Sequence, residues 1–226
     1  MKVVLVLALL SAALCAKGYA TRYWDCCKPH CSWPGNSNPL ARTCDKSQNT
    51  ISDPNASSAC DGGPAATCLD QVPQIVNDNL AYAFAATPGG SNDCRKCYKL
   101  TFDGQGKYGS NGNHAAIKGK TLIVMSSNIG YDVAGGQFDI MIPGGGVGIF
   151  NGCAGLFSGD MGAQYGGLLT ACNGDRGCLQ NKCKSTFTQS QAQEGCLFLA
   201  NWMHAADNPS LDYEETSCPG DLTSRY

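Results

Sequence analysis

The residues best equipped for chemistry stand near the start of the chain, in the run Ala20-Thr21-Arg22-Tyr23-Trp24-Asp25-Cys26-Cys27-Lys28-Pro29-His30-Cys31. One carboxylate, Asp25, sits beside two aromatic side chains and is followed at once by Cys26, Cys27 and, a little further on, Cys31. Disulfides next to Asp25 would remove backbone freedom that a reacting group cannot tolerate. If the run is a strand, alternation puts either Tyr23 or Trp24 on the same side as Asp25. Aromatic faces beside a carboxylate suit a flat, hydroxylated ligand such as a sugar ring. The plainer alternative is a disulfide knot that carries a solvated aspartate.

A second unusual stretch is Pro143-Gly144-Gly145-Gly146-Val147-Gly148-Ile149-Phe150-Asn151-Gly152-Cys153. It matches a phosphate-binding loop only in glycine content, because no Gly-Lys-Ser/Thr ending follows. The glycines read instead as allowing close backbone approach around Asp139. Cys94-x-x-Cys97 has metal-ligand spacing, but no second close pair with matching histidine follows. His30, His114 and His204 are too scattered to form a metal pattern, so no metal and no cofactor are expected.

These residues need a scaffold, and the rest of the chain describes one. The 226 residues fit one domain. With 43% hydrophobic and 15% charged residues, the chain belongs to the globular class. A formal charge of −2 with no run of like charge argues against nucleic acid and anionic membrane as partners. Met1-Lys2, the apolar run Val3–Leu14 and the small residue Ala16 read as a signal peptide over residues 1–16, with cleavage after Ala20 as the alternative. The apolar run is too short to span a bilayer, so a soluble, secreted, extracellular product is expected. Of the 15 cysteines, Cys15 lies in this leader; the even set that remains fits seven disulfides in an oxidising compartment.

Residues 34–70 are rich in Gly, Pro, Asn and Ser, a long loop that needs covalent staples. It carries a glycosylation sequon, Asn55-Ala56-Ser57. Val72, Ile75, Val76, Leu80 and Phe84 recur at helical spacing and predict a helix over Gln71–Ala86, stopped by Thr87-Pro88-Gly89-Gly90. Lys96–Phe102, Thr121–Ser126, Gln137–Ile142, Leu197–Met203 and Leu211–Ser217 are predicted strands. Short strands joined by Gly-rich loops point to a closed barrel rather than a parallel α/β sheet. No repeat, linker or second module is visible, so residues 17–226 are expected to form a single catalytic domain without a carbohydrate-binding module.

Taken together, Ala-Thr-Arg-Tyr-Trp-Asp-Cys-Cys-Lys-Pro-x-Cys and Phe-Asp-x-x-x-Pro-Gly-Gly-Gly-Val-Gly-Ile-Phe-x-Gly-Cys resemble the sequence of glycoside hydrolase family 45 from about residue 20 to the end. Further matching pieces are Asn77–Tyr82, Phe84–Thr87, Tyr165-Gly166-Gly167 and Ala206–Pro209. The resemblance implies a mainly β fold, a six-stranded double-psi β-barrel with long disulfide-tied loops and a few short helices. It also implies a secreted endo-β-1,4-glucanase acting by inversion on a β-glucan polysaccharide, as a monomer. It places the general base at Asp25 and the general acid at Asp139, with Asp132 assisting from a mobile loop. Thr21, Tyr23 and Trp33 match substrate-binding residues of the family. The implied disulfides are Cys26–Cys153, Cys27–Cys60, Cys31–Cys94, Cys44–Cys68 and Cys97–Cys218. Cys172, Cys178, Cys183 and Cys196 make two more, in any of three pairings.

Two departures stand out. Gln137 occupies a position where many members carry histidine; its amide can hydrogen-bond but cannot titrate near neutral pH. The stretch Cys172–Glu194 has extra cysteines and is expected to reshape one end of the groove. Inversion needs room for a water, which sets the two carboxyls about 6.5–9.5 Å apart. Alternatives within this reading are a xyloglucan-directed β-1,4-glucanase and a non-hydrolytic, expansin-like wall-loosening protein. A secreted, disulfide-rich defence or inhibitor protein is the non-enzymatic one. Release of reducing ends from soluble glucan separates hydrolysis from the last two.

Overall fold

The structure is a computed structural model that describes residues 15–157 and 159–226. The predicted leader lies almost wholly outside them. The strands are β1 (Ala16–Tyr23), β2 (Thr43–Cys44), β3 (Ala66–Thr67), β4 (Gln74–Asn77), β5 (Leu80–Thr87), β6 (Cys97–Gly106), β7 (Thr121–Ile129), β8 (Gln137–Met141) and β9 (Pro209–Thr216). The helices are α1 (Gly112–Ala116), α2 (Gly167–Ala171), α3 (Arg176–Thr186), α4 (Ser190–Asn201) and α5 (Gly220–Arg225).

The main sheet runs β4-β5-β7-β6-β9-β1-β8, and a further pairing of β5 with β8 closes it. The closed part is a ring of six strands, with β4 appended outside on β5. Two of its pairings are parallel, β1 with β8 and β5 with β7. The mainly β, six-stranded architecture expected of the chain is therefore present. Closure removes free edges from the ring and holds every strand by two neighbours. The interior is filled by Phe84, Leu100, Phe102, Leu122, Met125 and Ile140, all essentially inaccessible to solvent.

The predicted helix over Gln71–Ala86 is not formed; the region is the β4–β5 hairpin. Asn77-Asp78-Asn79 makes its turn, with the Asn77 side chain accepting the Asn79 N–H at 2.9 Å. The apparent helical stripe was a coincidence of spacing, since Ile75 and Val76 are exposed while Phe84 is buried. β5 is rich in alanine, a strong helix former, yet from Ala83 to Thr87 it is buried between partners. Sheet pairing on both sides overrides that local preference. The predicted strand Leu197–Met203 is likewise the end of α4 and the turn beyond it. Ala192, Cys196, Leu199 and Ala200 form its buried face, and a short apolar run cannot by itself distinguish strand from buried helix. Within the other predicted strands, the structure has β6, β7, β8 and β9 within a few residues of the expected limits.

Seven disulfides are present. The five implied by the resemblance all occur, and the four remaining cysteines pair locally as Cys172–Cys178 and Cys183–Cys196. Cys94 and Cys97 go to different partners, Cys31 and Cys218, which consumes their ligand capacity. Residues 34–70 form the expected irregular region, held by the small β2–β3 pair, two of the disulfides and scattered hydrogen bonds.

Candidate active site

One open groove of about 490 Å³ crosses the molecule, and Asp25, Asp132, Asp139, Tyr23 and Trp33 all line it. Two sites 114 positions apart in sequence thus share one trough because β1 and β8 are parallel neighbours. In their register Thr21 lies opposite Asp139, and β5 places Ala86 on its other side. Asp139 is therefore held by backbone pairing on both flanks.

Its side chain is fixed from behind. The Thr21 hydroxyl donates to Asp139 Oδ1 at 2.7 Å, while the Gln137 amide donates to Thr21 Oγ1 at 2.9 Å. Gln137 Oε1 in turn accepts from the Tyr19 hydroxyl at 2.9 Å and the Ala134 N–H at 3.0 Å. Because Thr21 Oγ1 already accepts from Gln137, its one proton is free to go only to Asp139. The structure thus places Thr21 behind Asp139 rather than on the groove wall. Burial raises the Asp139 pKa to about 7; Thr21 opposes this, the charges of Asp132 and Asp25 add to it, and Arg22 lowers it.

Asp25 is held in a different way. It follows the end of β1, where the chain leaves the sheet through Cys26 at φ 59°, the left-handed region. Cys26 is anchored to Cys153 and Cys27 to Cys60, so disulfides flank the carboxylate. Trp24 N–H donates to Gly146 O at 2.7 Å and Gly152 N–H to Asp25 O at 2.9 Å. A Cβ on Gly145 would lie 3.0 Å from Tyr23 N, and one on Gly152 would lie 2.8 Å from Cys60 Sγ. Gly145 and Gly152 thus let the run press against the Asp25 segment, while Gly144 and Gly146 make room for Leu168 and for the backbone of Gln164, Gly166 and Gly167. The nearest neighbours of these glycines do not include Asp139, around which the sequence suggested they would pack. Asp25 Oδ1 accepts the Cys27 N–H at 2.9 Å. Burial raises its pKa to about 6, with backbone hydrogen bonds pulling the other way.

Tyr23, not Trp24, is the aromatic that shares the groove with Asp25; Trp24 is buried in the core. Burial holds the Tyr23 phenol well above its usual value, and the charges of Asp25 and Asp139 both push it the same way. Tyr23 is thus a neutral hydroxyl in the field of the two carboxylates. Asp132 lies on the segment between β7 and β8, next to Tyr131, whose ring is 87% exposed and meets His30 edge to face at 6.1 Å. Ile149 and Phe150, also exposed, add apolar surface to the groove.

Sequence reasoning missed the groove residues Tyr131, Phe150, His30 and Lys28. Tyr131 beside Asp132, in a Gly-rich loop, was the available signal. No residue of the stretch Cys172–Glu194 lines this groove among the described residues, contrary to expectation; Thr186, Thr188 and Gln189 line a separate hollow with Ala154–Phe157. Its cysteines tie α2 to α3 and α3 to α4, and Leu179, Cys183, Phe187 and Cys196 pack into the main core.

A disulfide-tied, six-stranded β ring with two proton-retaining carboxyls in an open, aromatic-lined groove defines a narrow structural class. The profile of glycosyl hydrolase family 45 matches residues 17–226, and the chain belongs to that family. Endoglucanase B of Cellvibrio japonicus is 47% identical, over 92% of this chain and 44% of that protein. A putative endoglucanase type K of Fusarium oxysporum is 42% identical over 93% of this chain and 53% of its own length. The chain thus spans about half the length of these two curated relatives. An endoglucanase of Cryptopygus antarcticus is 39% identical, covering 100% of this chain and 96% of that one. The crystal structure of a cellulase from the same springtail superposes with a TM-score of 0.77 at 37% identity, over 93% of this chain and 95% of that chain. This likeness accords with the double-psi form of the barrel.

Proposed function

We propose that the protein hydrolyses internal β-1,4-glucosidic bonds of cellulose or a related β-glucan with inversion, Asp139 serving as general acid and Asp25 as general base. The observation that carries this reading is two carboxyls in one groove whose surroundings bias them differently, Asp139 keeping its proton to about 7 and Asp25 to about 6. Acid–base hydrolysis needs one carboxyl protonated and the other ionised, and the deeper burial of Asp139, together with the charges of Asp132 and Asp25, makes it the one that keeps its proton.

In the step itself the Asp139 O–H gives its proton to the glycosidic oxygen as the bond from that oxygen to the anomeric carbon breaks. Asp25 takes a proton from water as the water oxygen bonds to that carbon from the opposite face. Asp139 ends as carboxylate and Asp25 as acid, and exchange with solvent resets both. Thr21 acts through Asp139, since its hydroxyl occupies Oδ1 and leaves Oδ2 to carry the proton. Asp132 assists by raising the proton affinity of Asp139. Tyr23, Trp33 and Tyr131 supply the hydroxyl and ring surfaces on which glucose units rest. Residues 1–16 act as a secretory leader, and the secreted domain works as a monomer. The named relatives, two endoglucanases and one putative endoglucanase, support this reading.

Asp25→Asn and Asp139→Asn, each assayed for reducing ends released from soluble β-glucan, test the assignment. Each substitution is expected to lower the rate at least ~10²-fold. Near-native hydrolysis by either variant removes that residue from its role. Proton NMR of the first products should show the α-anomer; a β-anomer would mean retention.

A further inference from the structure

Lys28 follows the two cysteines beside Asp25 and is 5% exposed, an unusual place for an ammonium group. Among the described residues it has no carboxylate in ion-pair range. Its Nζ instead donates to the carbonyls of Pro54 at 2.7 Å and Ala56 at 3.0 Å. It also lies 3.7 Å from the centroid of the Trp33 ring. An ammonium has three N–H donors, and two carbonyls and one aromatic face account for all of them. The Lys28 N–H is bound too, donating to Ser58 Oγ at 3.1 Å. Burial lowers the Lys28 pKa, and Asp53, on the same turn as both carbonyls, opposes this in part.

One cation therefore joins three pieces of chain: the segment that carries Asp25, the turn Asp53–Ala56, and Trp33 on the groove wall. None of these is held there by a sheet. A binding ring must have its rotamer locked by neighbours if it is to present the same face to every substrate. Resting on the proposed glucan-binding role of the groove, we propose that Lys28 is a positioning residue for Trp33. Lys28, itself part of the groove lining, lies over one face of the indole and fixes the orientation in which the ring meets a glucose unit.

The test compares cello-oligosaccharide hydrolysis by the unmodified protein, Lys28→Met, Lys28→Arg, Trp33→Ala and the Lys28→Met/Trp33→Ala double variant. Lys28→Met should raise KM about three- to tenfold with kcat within about twofold, the size of a lost cation–π contact. Lys28→Arg keeps the cation and two donors and should hold KM near the unmodified value. In the Trp33→Ala background, Lys28→Met should raise KM no further, because the ring through which it acts is gone. A Lys28→Met KM at or below the unmodified value overturns the proposal, as does an undiminished effect in the double variant. NMR of the unmodified protein gives a reading that needs no substitution. The Lys28 ε-methylene protons should be shifted upfield by the indole ring, and unshifted resonances overturn the contact. If the unmodified protein neither binds nor cuts the oligosaccharide while the upfield shift is present, the glucan reading fails and the contact stands.

Discussion

Asp25 and Asp139 stand in one groove but are immobilised by opposite means. Asp139 sits within β8, paired on both flanks, with a hydroxyl aimed at one of its oxygens. Asp25 sits on irregular chain just past β1, and two disulfides, two backbone hydrogen bonds from neighbouring loops and a glycine-lined contact do the work that a sheet does for Asp139. A ladder of backbone hydrogen bonds is cooperative with the whole barrel. A covalent staple is local, and it is needed where no regular structure reaches. The comparison implies that the base side depends on cross-links and the acid side on strand register.

The largest expected difference comes from cutting a staple. Replacing Cys26 and Cys153 with Ala and Ser should destabilise the protein by about 2–5 kcal/mol. It should also lower kcat, on the order of 10²-fold, as the Asp25 carboxylate loses its fixed position. Removing Cys172–Cys178 should cost stability but leave kcat unchanged, since that bond joins α2 to α3 and neither cysteine lines the groove. Equal kcat values for the two variants, measured well below their unfolding temperatures, would break the comparison.

Next in size is the stability stored against Asp139. Its folded pKa, about 7, is above the ordinary value of 3.8. Between those values the native state binds more protons than the unfolded chain, so stability falls as pH rises through that window. At pH 8 the ionised, buried carboxylate destabilises the fold by about 2–4 kcal/mol. Asp139→Asn should therefore raise the melting temperature at pH 8 and have little effect near pH 3, where both states are protonated. A gain that is the same at both pH values would argue against a buried, proton-retaining acid.

Smaller effects sharpen the acid side. The pH profile of kcat/KM should be a narrow bell with limbs near 6 and 7, set by Asp25 and Asp139. Thr21→Val removes the donor that favours ionised Asp139 and should move the basic limb up by about one unit. Asp132→Asn removes a charge that disfavours ionisation and should move the same limb down, by less than about one unit. Shifts in the same direction in both variants would contradict the arrangement around Asp139.

Much of this was legible in residue types and short patterns. The motif around Asp25, the Phe138-Asp139 motif, the even cysteine set and four ring strands that alternate or carry β-branched runs are local facts, and local facts survive in a sequence. Asp25 and Asp139 could be named together only through resemblance, because nothing in either motif points to the other.

What only the tertiary structure decided is what depends on distant partners. Leu80–Thr87 is a strand because β7, β4 and β8 pair with it, although its alanines favour a helix. Leu197–Asn201 is helical because its apolar face packs inward behind Cys196. Thr21 meets Asp139 through the register of two parallel strands, and Gly145 and Gly152 press on the Asp25 segment because of how a loop returns. Local pattern sets which conformations a segment can adopt; burial and pairing with residues a hundred positions away select one of them, and here they also place the two acids across a single groove.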